Sequence, residues 1–319
     1  MLRRQSLSDG VRSFPVVTVQ APSGIFLLGA ARSGTSLLYK ALCLHPDVTY
    51  ISNWVRRAPQ VPWLGVLNRA PRHWPDLQRQ AWFGGESEGY VYGQRRGLVQ
   101  RVVPQPVEGE PVFTYCGFSQ FAWEPRASAQ VRGKRLTRTF AALCASAGAR
   151  TVVSKRIAHN RRVPELHQSL PDARFIALVR DGRAVAQSLA KVDWWLDDVL
   201  WWDPARRSPR QMAAGGDEPW ELCARNWVED TSSVERGLAA VPTDLVYRLR
   251  YEDFVKGPAD ALIQIAGFLG LPADSGWLSS VSGLHTPNRN EAWRALPAEV
   301  TSQIESVQKE ALARYGYID

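Results

Sequence analysis

The hydrophobic and polar positions of this chain divide it into short apolar runs and longer segments with helical periodicity. A short continuous apolar run between turn residues is typical of a strand buried on both faces of a parallel sheet. Such runs predict strands at residues 24–29, 151–154, 174–179 and 245–249. Helical periodicity predicts helices at residues 37–44, 134–147, 183–191, 218–238, 258–269 and 298–314, and a short helix after Pro164. Strands that alternate with helices indicate an α/β fold, with a central parallel sheet flanked by helices.

Some parts of the chain lack this regular pattern. Residues 1–20 are polar and mixed, which predicts a flexible arm before a single domain over residues 21–319. Within that domain, the segments at about 54–130 and 192–217 carry many Pro, Gly, Trp and charged residues, and we expect loops and short helices there. The chain shows no apolar run of the ~20 residues that span a membrane, and the arginines near its start are not followed by the apolar segment of a secretory signal.

Composition and charge narrow the function only partly. The formal net charge is +8, and 33 of the 39 basic residues are Arg. This balance favours anionic ligands such as phosphates, nucleic acid or an anionic membrane surface, although a genome that prefers Arg codons gives the same composition. The arginines are dispersed and do not form the basic stripe of a nucleic-acid-binding protein. The four cysteines form no CxxC pair and the histidines have no metal-ligand spacing, which predicts a cytoplasmic protein without a metal.

A glycine-containing loop follows the first predicted strand, at Gly29-Ala-Ala-Arg-Ser-Gly-Thr-Ser36. Glycines allow the backbone to wrap an anion, and the N-terminus of the following helix adds N–H groups and a positive dipole end. A nucleotide-binding P-loop has Lys immediately before Thr or Ser, but here Gly34 occupies that position and Arg32 lies inside the loop. The loop therefore predicts an anion site, or an ordinary turn, and argues against an ATPase or GTPase.

The strand at 174–179 leads directly to a second candidate anion site. Arg180 ends the strand, and Ser188 follows on the next predicted helix. A guanidinium and a hydroxyl that converge on one point suit a terminal phosphate. The alternative is a surface Arg180 that pairs with Asp181, with Ser188 facing solvent.

Together the two segments resemble the PAPS-dependent sulfotransferases, which have a P-loop-like fold. Tyr251-Glu-Asp-Phe254 is similar to the family's YED segment, and Asn288 to Leu296 takes the place of its Trp-containing capping loop. His45-Pro-Asp-Val48 points to the bacterial and Golgi-type branch. The resemblance covers about residues 24–52, 150–191 and 244–315.

The resemblance implies a donor site for PAPS, with PAP as product and no metal. The loop residues implied to hold the 5′-phosphosulfate are Ser33, Gly34, Thr35 and Ser36. Arg180 and Ser188 would hold the 3′-phosphate, and Tyr251 would contact the adenosine. Arg289, with Asn290, would close over the 3′-phosphate.

The resemblance also implies catalytic groups, but it leaves the general base open. Arg32 would lie at the bridging oxygen, and Lys155 would lie near the transferring sulfuryl group. Golgi-type members carry a glutamate base shortly after HPDV, whereas residues 49–54 of this chain contain no carboxylate. Ile157 occupies the position of the histidine base of the cytosolic members, so we predict His159, two residues further on, as the base. The carboxylates considered as alternative bases are Asp193, Asp197 and Asp198.

A Trp- and Asp-rich stretch at residues 193–203 predicts where the acceptor binds. It contains four Trp and four Asp, and indole rings with carboxylates suit a sugar or a cationic group. The residues expected to contact the acceptor are Asp193, Trp194, Trp195 and Asp197. The alternative is an amphipathic lid that packs its own tryptophans.

We therefore expect sulfuryl transfer from PAPS to a hydroxyl or amine of a small-molecule, carbohydrate or glycolipid acceptor. The two segments at 54–130 and 192–217 would lie on the acceptor side. The alternatives are a P-loop-type kinase or NTPase, and an Arg- and Trp-rich nucleic-acid-binding protein.

Overall fold

The computed structural model describes residues 23–83, 101–121, 123–124, 127–282 and 290–319. Its sheet has five strands in the order β2-β3-β1-β4-β5, and every neighbouring pair is parallel. The strands are β1 (Gly24–Leu28), β2 (Val48–Tyr50), β3 (Thr151–Lys155), β4 (Arg174–Val179) and β5 (Val246–Arg250). The predicted α/β fold with a central parallel sheet is confirmed.

Helices cover both faces of this sheet. In chain order they are α1 (Thr35–Cys43), α2 (Asn53–Arg57), α3 (Pro75–Phe83), α4 (Glu110–Cys116), α5 (Ala129–Ala147), α6 (Val163–Ser169), α7 (Gly182–Leu189), α8 (Asp193–Asp197), α9 (Pro209–Ala214), α10 (Pro219–Leu238), α11 (Tyr251–Lys256), α12 (Pro258–Leu269), α13 (Ser275–Ser282) and α14 (Ala298–Arg314). Short 3₁₀ helices occur at Pro62–His73, Ile157–Arg161, Thr243–Leu245 and Ala292–Ala295.

The core forms two apolar layers because side chains alternate along each strand. In β1, Ile25 and Leu27 pack with the cluster that includes the apolar faces of α1 and α12. Phe26 and Leu28 pack on the opposite face, with apolar residues of α4, α5 and α6. Burial on both faces explains why the strands are continuous apolar runs.

The four strands expected from the sequence are present, and β2 is an additional one. Val48, Thr49 and Tyr50 pair with Thr151, Val152 and Val153 of β3. Three residues are too few to show a recognisable apolar run, so only tertiary pairing reveals this strand. The expected irregular segments contain short helices in their described parts, and the expected arm at 1–20 lies outside the described residues.

The order of the strands brings the sequence motifs to one edge of the sheet. β1 lies between β3 and β4, and all three strands point the same way. Their carboxyl ends therefore deliver the glycine loop, Lys155 and Arg180 to neighbouring positions. Ligands of open α/β sheets bind at this edge.

Candidate functional site

The loop after β1 has a conformation that requires two of its glycines. Gly29 has φ +146° and a Cβ there would overlap the carbonyl of Leu178, while Gly34 has φ +88° and a Cβ would lie 2.5 Å from the ring of Tyr251. A lysine at position 34, where a P-loop of an NTPase carries one, would therefore collide with this tyrosine. Arg32 also has a positive φ, of 68°, which is uncommon for a residue with a side chain.

The loop leads into a helix N-terminus suited to an anion. α1 begins at Thr35, and its N-cap Gly34 provides no side-chain cap. The first N–H groups of a helix have no partner within the helix and lie at the positive end of its dipole. Thr35 and Ser36 line the adjoining cavity, whereas Ser33 is buried behind it, with no hydrogen-bond partner for its Oγ among the described residues. The arrangement can hold a phosphate or sulfate group.

Five of the residues predicted to bind the donor form one cluster, four of them joined by hydrogen bonds and Tyr251 by a ring contact. Arg32 Nε donates to Ser188 Oγ at 3.0 Å, and Arg180 Nη1 donates to the backbone oxygen of Arg32 at 3.0 Å. Arg180 Nε donates to Asn290 Oδ1 at 3.0 Å, and its guanidinium carbon lies 4.6 Å from the ring centroid of Tyr251. These contacts place two guanidinium groups and a hydroxyl beside the N-terminus of α1.

Arg180 is only 7% exposed, and a second layer of hydrogen bonds surrounds the residues that it contacts. Burial lowers the pKa of Arg180, while neighbouring Tyr251 and Glu252 oppose this shift. Glu252 Oε1 accepts a hydrogen bond from Asn290 Nδ2 at 2.7 Å, and Glu252 Oε2 accepts one from Tyr317 at 2.9 Å. Since a guanidinium remains protonated in proteins, this surrounding framework fixes a positive charge in the cavity.

The alternative interpretation assumed that Asp181 pairs with Arg180. In the structure, Asp181 has other partners. It caps α7 through the backbone N–H of Arg183 and forms an ion pair of 2.9 Å with the Arg183 side chain. Arg183 also lies 4.1 Å from the ring centroid of Trp293, in the segment that resembles the family's capping loop. Arg180 lines the cavity, and the predicted partner Arg289 lies outside the described residues.

A cavity of about 650 Å³ extends from this cluster to the Trp-rich segment. We call it the site cavity. Lys155 lines it and is 5% exposed, and its Nζ donates to Glu108 Oε1 at 2.5 Å. The Glu108 side chain is 38% exposed and also lines the cavity. An ammonium and a carboxylate therefore meet where the carboxyl end of β3 opens into the cavity.

The pattern of the sequence does not single out Glu108, although the structure brings it to the edge of the sheet at which the site cavity opens. The Val107 N–H donates to the Ile51 oxygen at 3.0 Å, and Ser52 forms an antiparallel bridge with Pro106. Glu108 consequently lies beside the chain that leaves β2, the segment in which the sequence has no carboxylate. The only available signal was a glutamate in a segment without periodicity.

His159 does not reach the site cavity. It is completely buried, its Nε2 lies 3.0 Å from Ser154 Oγ, and its ring packs edge-on against Phe26 and Phe113. Burial, and then the charges of the nearby Arg156 and other basic residues, lower its pKa well below the usual value. This placement argues against the predicted role of general base, because the imidazole cannot touch an acceptor in the cavity.

The Trp- and Asp-rich segment contributes only part of what was expected. Trp194 and Trp195 of α8 line the site cavity. Asp193 and Asp197 do not line it; Asp197 is exposed and forms an ion pair with Arg210 at 2.8 Å. The carboxylate that does line the cavity is Asp198, whose pKa is raised by burial. The difference arises because the helix ends at Asp197, and Asp198 follows it in an extended conformation, so the two carboxylates take different directions.

Two kinds of feature are absent from the described part of the chain. No group of His, Cys, Asp or Glu there could hold a metal ion. No helix in the same ranges is both long and apolar enough to cross a bilayer.

Comparisons with known proteins identify the family and support the fold. The model of the sulfotransferase family matches residues 22–275. Among solved structures, sulfotransferase STF9 from Mycobacterium avium superposes with a TM-score of 0.56 at 14% identity, over 93% of this chain and 77% of that one. Sulfotransferase STF1 from Mycobacterium tuberculosis H37Rv gives 0.50 at 16% identity, over 90% of this chain and 77% of that one.

A comparison with curated proteins finds no significantly similar sequence. The solved structures support the same fold, and the family model covers well over half of the chain. On the strength of the family model, the chain belongs to the sulfotransferase family.

Proposed function

We propose that this protein transfers a sulfuryl group from PAPS to a hydroxyl or amine of an acceptor and releases PAP. The observation that supports this most is the cluster of Arg32, Arg180 and Ser188 beside the N-terminus of α1. The cluster and the helix terminus are two adjoining anion sites in one cavity. PAPS carries an anionic group at each end of its ribose, at the 3′ and 5′ positions, and this pair of sites suits it.

On the donor side, the backbone and hydroxyls of Thr35 and Ser36 would hold the 5′-phosphosulfate, and Arg180 with Ser188 would hold the 3′-phosphate. Attack of the acceptor at sulfur breaks the bond between sulfur and the bridging oxygen, which takes the electron pair. Arg32 and Lys155 supply fixed positive charge to the cavity in which this negative charge develops. Charge that is already in position is worth several kcal/mol in such a transition state (~2.7–4 kcal/mol for one donor).

On the acceptor side, we propose Glu108 as the general base. The acceptor hydroxyl forms the new bond to sulfur and gives its proton to the Glu108 carboxylate. Lys155 holds this carboxylate at 2.5 Å and so fixes its position in the cavity. Glu110 also lines the cavity, but both of its oxygens bind the buried guanidinium of Arg156. Glu108 is therefore the better placed of the two glutamates to receive a proton.

The direct test is a transfer assay with PAPS labelled in the sulfuryl group, a panel of alcohol, phenol, sugar and amine acceptors, and PAP measured as product. We expect labelled product and PAP in equal amounts, without added divalent metal. Transfer from ATP and none from PAPS would instead support a kinase. Retardation of nucleic acid that weakens with salt, without transfer, would support a nucleic-acid-binding protein.

A further inference from the structure

Three further side chains that line the site cavity come from separate elements and have no role in the scheme above. Arg161 ends the 3₁₀ helix Ile157–Arg161, Asp230 lies on α10, and Trp201 follows α8. All three line the site cavity. The guanidinium carbon of Arg161 lies 4.8 Å from the ring centroid of Trp201, which fixes the orientation of both groups.

These side chains present polar atoms that the protein itself does not satisfy. Asp230 is 1% exposed, and its Oδ1 lies 4.0 Å from Arg161 Nη1, which is beyond hydrogen-bond distance. Arg161 Nη2 donates to the Gln120 oxygen at 3.2 Å. Among the described residues, no hydrogen-bond partner exists for Asp230 Oδ1, Arg161 Nη1 or Trp201 Nε1. One acceptor atom and two donor atoms are thus left for a ligand.

Leaving buried polar atoms unpaired destabilises a protein, most of all where the group is charged. Burial raises the pKa of Asp230 to about 6, while Arg161, the Asn160 side chain, the backbone N–H of Ala31 and Trp201 oppose the shift without cancelling it. Burial likewise lowers the pKa of Arg161 to about 10, and Asp230 opposes that shift. At 4.0 Å the two charged groups attract each other, but Asp230 Oδ1 and Arg161 Nη1 share no hydrogen bond.

Resting on the sulfuryl transfer proposed above, we propose that Arg161, Asp230 and Trp201 bind a second hydroxyl group of the acceptor, separate from the hydroxyl that is sulfated. A hydroxyl oxygen both accepts and donates. One such oxygen fits between two atoms that are 4.0 Å apart, with a bond of ~2.8 Å to each. It would accept from Arg161 or Trp201 and donate to Asp230.

Charged groups suit this position less well than a hydroxyl. A carboxylate only accepts and would be repelled by Asp230, and an ammonium only donates and would be repelled by Arg161. The apolar walls nearby are the rings of Phe121, Trp194 and Trp195, which suit the face of a ring. The acceptor class that matches is a neutral ring compound with at least two hydroxyls. A sugar and an aromatic diol offer this same chemistry.

The test compares matched acceptors that differ by one hydroxyl: catechol with phenol, and methyl glucoside with its monodeoxy derivatives. We expect wild-type kcat/KM to be higher for the member with the additional hydroxyl, and the pair that shows the larger difference identifies the source. In Trp201→Phe and Asp230→Asn, kcat/KM for the member with the additional hydroxyl should fall about 10- to 100-fold. The value for the member without it should stay within about twofold.

Neighbouring residues provide matched controls. Trp202 follows Trp201 directly but lies outside the residues that line the site cavity, and its Nε1 donates to Asn226 Oδ1 at 3.1 Å. Asp203 is buried outside the cavity and is paired with Arg207 at 3.0 Å. Trp202→Phe and Asp203→Asn should change both members of an acceptor pair by the same factor. Equal losses in the Trp201 and Asp230 variants as well would overturn the subsite.

A binding measurement separates this inference from the proposed function. Calorimetry with PAP present measures affinity for each member of a pair without requiring turnover. Tighter binding of the member with the additional hydroxyl, lost in Trp201→Phe, supports the subsite even where no sulfuryl transfer from PAPS occurs, and the transfer proposal alone then fails. Equal wild-type affinity for both members of every pair overturns the subsite even where transfer proceeds.

Discussion

The two halves of the site cavity differ in how fully their polar side chains are paired. In the donor half, Arg180 donates to Asn290 and to the backbone of Arg32, and Arg32 donates to Ser188. In the acceptor half, by which we mean the part proposed to bind the acceptor, Lys155 is paired with Glu108, but Arg161 and Asp230 remain 4.0 Å apart. A prearranged framework suits a donor of one fixed structure. Unpaired groups instead favour those acceptors that can form hydrogen bonds with them. The following changes should affect one half and spare the other.

The largest effect should come from Glu108→Gln, which removes the proposed base but retains the shape of the side chain. We expect kcat to fall by about 10²–10⁴-fold, the usual contribution of general base catalysis. PAP affinity measured by calorimetry should not change, because Glu108 lies in the acceptor half. Asp198→Asn is the matched control, since it neutralises another carboxylate of the cavity. A larger loss in that control would transfer the role of base to Asp198.

Arg32→Ala should have the next largest effect, because Arg32 is the charge proposed to act on the leaving group. We expect kcat to fall by about 10²–10³-fold, as for the loss of one transition-state donor. The KM for PAPS should rise by a smaller factor. Steady-state kinetics with PAPS varied measures both. A rise in KM with unchanged kcat would make Arg32 a ground-state binding residue only.

Arg180→Ala tests whether the donor half distinguishes the 3′-phosphate. PAP and PAPS should lose about 2–3 kcal/mol of binding free energy, as expected for a charged hydrogen bond. Adenosine 5′-phosphosulfate, which lacks the 3′-phosphate, should lose much less. Calorimetry of the three nucleotides against wild type and variant measures this. Equal losses for all three would exclude Arg180 from the 3′-phosphate site.

The smallest effect should be on stability, through Asp230. The folded protein raises the pKa of this carboxyl from 3.8 to about 6 and so binds its proton more tightly than the unfolded chain. That contribution to stability is present below pH 3.8 and is lost as the pH rises through about 6. Two pKa units correspond to roughly 3 kcal/mol.

Asp230→Asn should therefore stabilise the protein at pH 7.5 by about 1–2 kcal/mol, a part of that difference, although it weakens the acceptor half. The advantage should disappear towards pH 4. Urea unfolding at both pH values measures it. Asp203→Asn removes a carboxylate whose pKa is lowered to about 2 by Arg207, so it should destabilise at pH 7.5 and provides a control of opposite sign. An Asp230 variant that is less stable than wild type at pH 7.5 would show that Arg161 already satisfies the carboxylate.

The fold was largely predictable from the sequence because its signals are local. The runs at β1, β3, β4 and β5 are apolar throughout, as burial on both faces requires. β2 was missed because its three residues are defined only by pairing with β3. The carboxylate that we propose as the base was missed for a similar reason, since Glu108 reaches the site through the bridge between Ser52 and Pro106.

By itself, the sequence determined four of the five strands and the motifs that follow them. Gly29, Lys155 and Arg180 lie directly at strand ends, and parallel strands bring such positions to one edge whatever the details of packing. Only the tertiary structure decided which acidic and basic side chains face the cavity. His159 turns into the aromatic core and Asp197 turns to Arg210, while Glu108 and Asp230 turn inward. The point at which a short helix ends and the pairing of distant segments set these directions, and neither leaves a periodic pattern in the chain.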